Sequence, residues 1–490
     1  MSGGGAGPNL VRERFARAPV LGAMLALAVV LAVLAPHYGY HRDELYFRML
    51  PADWGYTDQP FLTPLLARTA IALLGDSVVA LRVVALLCAV ASLPVLALIT
   101  REVGGGRRAQ ALTAWGMAGA TLTLQFGHVL LTASLDLVVW PAVLLLAIRA
   151  VLREDGRWWI AAGAVIGVSS ANKLLVVILM IGIALGLAVC GPRSWFASAR
   201  LWVGVAIAGL LTAPSVVFQA LHGWPQLAMG EALRTSNADE VRVMMWPMLV
   251  LLVGPVLAVF WVVAIIGMFH RPQWRSLRFL TVAFAVVVLF VLAGGTQFYY
   301  TAGMLGALVA IGSVPVAQWA HSHGRRRAAA ALLVVNAAGC AVAALPVLPV
   351  RVFGASGLAA VNSAAADQVG WPQYAEQIRT AAADAGAEVI ITSNYGEAGA
   401  LHRFGSGGVP VVSGHVELWH LDRPPGDAQT VVIVGGQGER ASDWFDSCRT
   451  VAELDNGLGV DTEEEGEPVL VCEGLQEPWP QLWNRFRHLD

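Results

Sequence analysis

The sequence predicts an α-helical integral membrane protein of about eleven transmembrane helices, followed by a small α/β domain. Three observations predict it. Of 490 residues, 57% are hydrophobic and 13% charged, about half the charged share of soluble domains. So few charges cannot clothe a soluble chain of this length. Apolar runs near the roughly 20 residues a spanning helix needs recur through the first 348 residues, and arginines collect in every second loop between them. Beyond residue 348, Asp, Glu, Gly and Pro return to soluble density. The same composition excludes disordered, collagenous and disulfide-scaffold classes. A net charge of −2 leaves no basic footprint for nucleic acid.

The first span, about 18–36, follows Arg12, Arg14 and Arg17. No small-x-small cleavage site stands at 36–40, so it reads as a retained anchor rather than a signal peptide. A long first outer loop, 37–77, comes next. Spans follow at about 78–99, 109–126 and 129–150. The apolar run 158–190 is too long for one span and divides into 158–172 and 173–190, meeting at Asn172 and Lys173. Spans at 201–219, 245–268, 279–295, 299–317 and 329–348 complete the set. With the N-terminus in the cytoplasm, the loops holding Arg101/Arg107/Arg108, Arg149/Arg153/Arg157, Arg193/Arg200, Arg271/Arg275/Arg278 and Arg325/Arg326/Arg327 are all cytoplasmic, as the positive-inside rule requires. A missed or invented span would break this alternation partway.

The chain therefore divides into a transmembrane unit, 1–348, and a soluble extracytoplasmic α/β domain, 349–490. In the latter, 371–386 is patterned as an amphipathic helix and 388–393 as a buried strand. YGEAGALHRFG supplies a second helix, and 430–436 and 468–474 further strands. The expectation is about four strands, and the short apolar runs suit a parallel sheet. Cys448 and Cys472 lie in this domain and either pair or stay free. Cys88, Cys190 and Cys340 lie in spans as packing residues.

Candidate chemistry gathers at the outer ends of the spans. The first outer loop opens with HYGYHRDELYF, placing His41, Arg42, Asp43 and Glu44 directly after a span, with Asp58 further on. Charges there do nothing for spanning. They are either a solvated loop or a positioned carboxylate base. Asp43 and Glu44 are adjacent, so on a helix they point apart: one acts and the other orients it. A divalent metal held by the pair stays open, since oxygen ligands suit one. Asp136 stands in the first two turns of the fourth span; an acid there costs about 2.5–3.5 kcal/mol on insertion scales. Lys173 is the chain's single lysine among 32 basic residues. Where arginine serves as the usual interface anchor, a lone lysine suits a compact point charge such as a phosphate. The polar segment 218–242 carries Arg234, and GGTQFYY presents Gln297, Tyr299 and Tyr300 outside, as a belt or as sugar contacts. No nucleotide, metalloprotease or hydrolase motif is present in a credible setting.

An acid directly after the first span, a long first outer loop, short paired spans with a lysine and a soluble C-terminal domain resemble the GT-C glycosyltransferases. The chain looks most like the branch of protein O-mannosyltransferases, lipid A aminoarabinose transferases and core galacturonosyltransferases. The resemblance covers about 20–320 and, loosely, the C-terminal domain. It implies that Asp43 in HRDELYF is the catalytic or metal-binding acid with Glu44 beside it, that Asp136 is the acid of the fourth span, and that Lys173 is the lysine after the fifth. The family's lysine before a late Tyr-rich segment has no counterpart in TQFYY. The implied activity moves a sugar from a polyprenyl-phosphate donor to a hydroxyl on a cell-envelope glycan, lipid or protein at the outer face. On that reading Asp43 and Glu44 are catalytic, and Lys173, Arg42 and Arg234 hold the donor phosphate. Asp136, His41, Asp58, Gln297, Tyr299 and Tyr300 bind substrate. Donor, acceptor and membrane lipids are then the partners, with no cofactor required beyond the metal left open. The alternative class is a transporter or flippase with Asp136 and Lys173 as coupling charges. Such proteins usually carry internal repeats with broken helices, and none is evident here.

Overall fold

The computed structural model describes residues 11–489, so residues 1–10 of the predicted 1–348 unit and residue 490 lie outside the described residues. The chain is mainly helical: α1 (Arg17–Leu34), α2 (Arg42–Met49), α3 (Leu62–Leu74), α4 (Val78–Glu102), α5 (Arg107–Ala118), α6 (Thr121–His128), α7 (Thr132–Arg153), α8 (Arg157–Ser169), α9 (Val176–Cys190), α10 (Ala199–Leu221), α11 (Pro225–Leu251), α12 (Pro255–His270), α13 (Phe279–Gly294), α14 (Ala302–Trp319) and α15 (His323–Ala344). All eleven predicted apolar runs are helical. Length and composition, however, qualify six helices as single spans among the described residues, or seven if α11 and α12 count as one span bent by 97°. The difference from eleven lies in short helices (α8, α9, α13) and in the 109–126 run, which breaks into α5 and α6 at Gly119–Ala120. The segment 218–242, expected as a loop, is mostly helix, because α11 runs from Pro225 through its polar stretch.

Helices meet where small residues let backbones approach. A Cβ at Gly163 of α8 would lie 2.0 Å from the Gly204 carbonyl oxygen of α10. One at Gly312 of α14 would lie 1.9 Å from that of Phe260 on α12. The two ends of the bundle differ. At one end, Arg12, Arg101, Arg149 and Arg153 surround the buried Glu102. At the other gather the first loop, the starts of α4 and α7, the break between α8 and α9, and the C-terminal domain.

Helices α16 (Val350–Ala355) and α17 (Ser363–Ala366) lead into α18 (Trp371–Ala385), β1 (Val389–Thr392), α19 (Tyr395–Phe404), β2 (Val411–Ser413), β3 (Thr430–Val434), β4 (Phe445–Glu453) and β5 (Pro468–Leu475). The strands form one five-stranded sheet in the order β2-β1-β3-β5-β4. It is mixed rather than parallel: β1 pairs in parallel with β2 and β3, while β5 runs antiparallel to β3 and β4. Cys448 and Cys472 face each other across β4 and β5 and are disulfide-bonded. One apolar core joins this domain to the first loop, packing Leu45, Tyr46 and Phe47 with Trp371, Tyr374 and Leu401.

Candidate active site at one end of the helix bundle

The site starts from the way the chain leaves α1. Gly39 takes a φ of +136°, and a Cβ there would lie 2.8 Å from the Gln368 carbonyl oxygen; both conditions favour glycine. His41 then caps α2. Its Nδ1 accepts from the Asp43 backbone N–H at 3.2 Å, and Glu44 accepts from the His41 backbone N–H at 3.0 Å. This is a reciprocal capping arrangement.

Glu44 is fully buried and its carboxylate is committed. Arg82, 2% exposed, donates to both oxygens at 3.2 Å, and the Leu130 backbone N–H donates at 3.1 Å. Arg82 also donates to the carbonyls of Ala35 and Gly39 and to Gln368. A buried ion pair is tolerable when its remaining hydrogen-bonding capacity is met in this way. Glu44 thus staples the first loop to α4 and to the α6–α7 corner. Asp43 and Glu44 do not form a chelating pair. Among the described residues, no group of three or more His, Cys, Asp or Glu is arranged to hold a metal.

Asp43 points the other way from α2. The hydroxyl of Tyr395, from the C-terminal domain, donates to its Oδ1 at 2.9 Å. Burial raises the Asp43 carboxyl above the ordinary carboxylate range, and nearby His41 and the Tyr395 hydrogen bond oppose that rise. Arg42 is not free for a phosphate. Its Nε lies 2.5 Å from Asp367 Oδ1, a second nitrogen lies 3.0 Å from Glu464, and it also pairs with Glu463. His41 Nε2 lies 3.2 Å from Asp367. Asp58 accepts from the Tyr46 hydroxyl at 2.9 Å. Burial pushes its carboxyl up to about 7, assisted by the charges of Glu417 and Asp43.

The lysine is positioned by the break between α8 and α9. Asn172, fully buried, donates to the Thr132 carbonyl at 2.9 Å and accepts from the Thr63 hydroxyl at 2.5 Å. The Leu62 backbone N–H donates to the Ala171 carbonyl at 2.9 Å. The starts of α3 and α7 are thereby joined to this break. Lys173 Nζ sits 4.1 Å from the centre of the Tyr300 ring and 5.3 Å from that of Tyr299, within cation–π range. Asp136, one turn beyond Thr132 on α7, lies within charge–charge reach of Lys173. Tyr299 lies within such reach of both Asp43 and Asp136.

Asp43, Asp136, Lys173, Tyr299 and Tyr300 are therefore brought together, with His41 and Asp58 at their edge and Gln297 directly before the turn that carries the tyrosines. Arg234 is not. It lies on an exposed face of α11, paired with Glu231 one turn away. Tyr395, Asp367 and Arg82 were not identified from sequence as members of this constellation. Only Arg82, an arginine near the start of an apolar span, carried a visible signal.

The segment 58–218 matches the family of dolichyl-phosphate-mannose-protein mannosyltransferases. No curated protein sequence matches the chain. In fold the chain is similar to ArnT from Cupriavidus metallidurans crystallised with undecaprenyl phosphate: TM-score 0.61 at 15% identity, over 92% of this chain and 97% of that one. It is also similar to the Archaeoglobus fulgidus oligosaccharyltransferase tethered to an acceptor peptide: TM-score 0.50 at 15% identity, over 81% of this chain and 63% of that one. At such identities the likeness is one of fold. The family match covers 58–218, with Asp136 and Lys173 inside it, and the likeness of fold spans nearly the whole chain; the chain is a multi-pass helical membrane protein with a fold similar to that of these transferases.

Proposed function

We propose that the protein transfers a sugar from a polyprenyl-phosphate carrier to a hydroxyl of a cell-envelope glycan, lipid or protein at the extracytoplasmic face. The observation that carries this reading is the convergence of Asp43, Asp136 and Lys173 around Tyr299 at one end of the bundle. An acceptor hydroxyl is a weak nucleophile. Asp43 takes its proton as the oxygen attacks the anomeric carbon. The bond from that carbon to the carrier phosphate breaks, and the electron pair leaves with the phosphate. Lys173 faces the charge that develops there. A fixed cation in a water-poor site stabilises such charge far better than water does. The carrier bond is already activated, so no nucleotide is needed. The place of Asp136 and Lys173 at one end of the bundle favours this reading over a transporter, whose coupling groups belong near mid-membrane.

Asp43→Asn keeps the side chain's size and removes the base. Turnover should fall by about 10²–10⁴, the usual contribution of a positioned base, with protein abundance unchanged. The assay follows labelled sugar moving from a polyprenyl-phosphate donor to envelope acceptors in cells whose only copy is the variant. Near-normal transfer by the Asn variant would end the assignment of Asp43.

A further inference from the structure

The C-terminal domain reaches the base directly, and its contact is built rather than incidental. Asn394 caps α19, accepting from the Glu397 backbone N–H at 3.0 Å, while Glu397 accepts in return from the backbone of Ser393 at 2.8 Å and of Asn394 at 3.3 Å. Tyr395 is thereby fixed as the first residue of the helix. Helix α19 lies against α2 at backbone distance through two glycines one turn apart. A Cβ at Gly399 would lie 2.7 Å from the Leu45 Cβ. One at Gly396 would lie 2.6 Å from the Trp371 ring and 3.0 Å from the Arg42 Cβ. The Tyr395 ring is held on both faces, stacked on Tyr46 at 4.6 Å and on His415 at 4.9 Å with planes 6° apart. His415 is backed in turn by His488 at 4.8 Å. A ring clamped in this way has little rotational freedom, and its hydroxyl is delivered to Asp43 Oδ1 at 2.9 Å.

We infer that Tyr395 is a positioning residue for the base: through one hydrogen bond the C-terminal domain orients the Asp43 carboxylate and keeps it ionised. This rests on the reading of Asp43 as base. The remaining groups that act on Asp43 are His41 and Arg42 from its own helix and Asp367 ahead of α18, with Asp58 and Tyr299 within charge–charge reach. None of these is placed to replace the hydroxyl's donation to Oδ1. The neighbouring charges of Arg42 and Asp367 already satisfy each other.

The test uses the full-length protein and compares wild type, Asp43→Asn and Tyr395→Phe for kcat, donor KM and the pH profile of kcat/KM. Tyr395→Phe keeps the stacked ring and removes only the hydroxyl. About 1.4 kcal/mol corresponds to one pH unit or a tenfold change in rate. Loss of the donor leaves Asp43 harder to ionise. The acidic limb of kcat/KM should then move up by about one pH unit, with kcat about tenfold lower and donor KM unchanged. A more acidic fluorotyrosine at 395, which keeps both ring and hydroxyl, should move the limb down, and this arm holds even where the Phe variant folds poorly. An inactive Asp43→Asn beside Phe and fluorotyrosine proteins with wild-type rate and an unmoved limb would overturn the positioning role alone. Transfer by Asp43→Asn would instead overturn the base itself.

Discussion

Lys173 separates a chemical role from an anchoring one. An anchoring lysine extends its ammonium to the membrane interface. Here Nζ lies over Tyr300 with Asp136 in reach. If it faces the donor phosphate, charge matters more than reach. Lys173→Met should then cost transfer equivalent to about 2–4 kcal/mol, the scale of one preorganised donor, per correctly inserted molecule. Lys173→Arg should recover only part, because a planar fork does not reproduce a point charge in a tight site. Equal transfer by the lysine and methionine proteins would remove Lys173 from the site. The sequence made Lys173 and Asp136 conspicuous because ionisable groups are rare in apolar spans. It left the work of Glu44, Arg42 and Tyr395 hidden. Their partners Arg82, Asp367 and Asp43 stand 38, 325 and 352 residues away in the chain, and no local pattern encodes such a pairing. Glu44 looked catalytic because it adjoins Asp43, yet a one-residue step on a helix turns a side chain by about 100°, here into the Arg82 pair.

At the scale of elements, α8 is only 13 residues long, and its place depends on close backbone contact with α10. Gly163 faces the backbone of Gly204, and Gly204 in turn faces the Trp159 carbonyl, where an added Cβ would lie 2.3 Å away. The obstructing atoms are backbone, so a side chain at 163 must separate the helices. Gly163→Leu should therefore lower melting temperature and the monodisperse fraction in detergent, and shift the break that carries Lys173. Gly209→Ala, also in α10 but with nothing within 4 Å of its added methyl, should be neutral or stabilising by up to about 1 kcal/mol. Equal loss in both variants would mean that helix packing here does not depend on close approach. Apolar periodicity located the longer buried elements and missed those that are short or lie on a surface. Residues 231–242 were expected as loop because Glu231, Arg234, Asp239, Glu240 and Arg242 crowd them, yet they form the polar part of α11. Strand β2 has three residues, too few for any alternation to show. Strand β4 lies at the sheet edge and is largely exposed, so it lacks the apolar run that marked β1, β3 and β5.

For the whole molecule, charge and site chemistry occupy opposite ends of one bundle, and that arrangement carries an orientation. Four arginines drawn from the segment before α1, from α4 and from α7 meet around Glu102. At the far end, Arg42 and Arg82 are paired with carboxylates inside the protein. Excess positive charge is retained on the cytoplasmic side during insertion, so the Glu102 end should be cytoplasmic, and the site and C-terminal domain should face outward. Two exposed glycines with open space report on the two ends: Gly324 at the start of α15 and Gly426 between β2 and β3. In a background with Cys88, Cys190 and Cys340 replaced by serine and the Cys448–Cys472 disulfide retained, Gly426→Cys should react with a membrane-impermeant thiol reagent in intact cells. Gly324→Cys should react only after permeabilisation. The reverse pattern would put the Tyr395–Asp43 contact in the cytoplasm, and an outward-facing acceptor could not reach the base. Labelling of both positions in intact cells would break the link between the arginine-rich end and the inner face, because α15 alone carries the chain from Gly324 to the C-terminal domain.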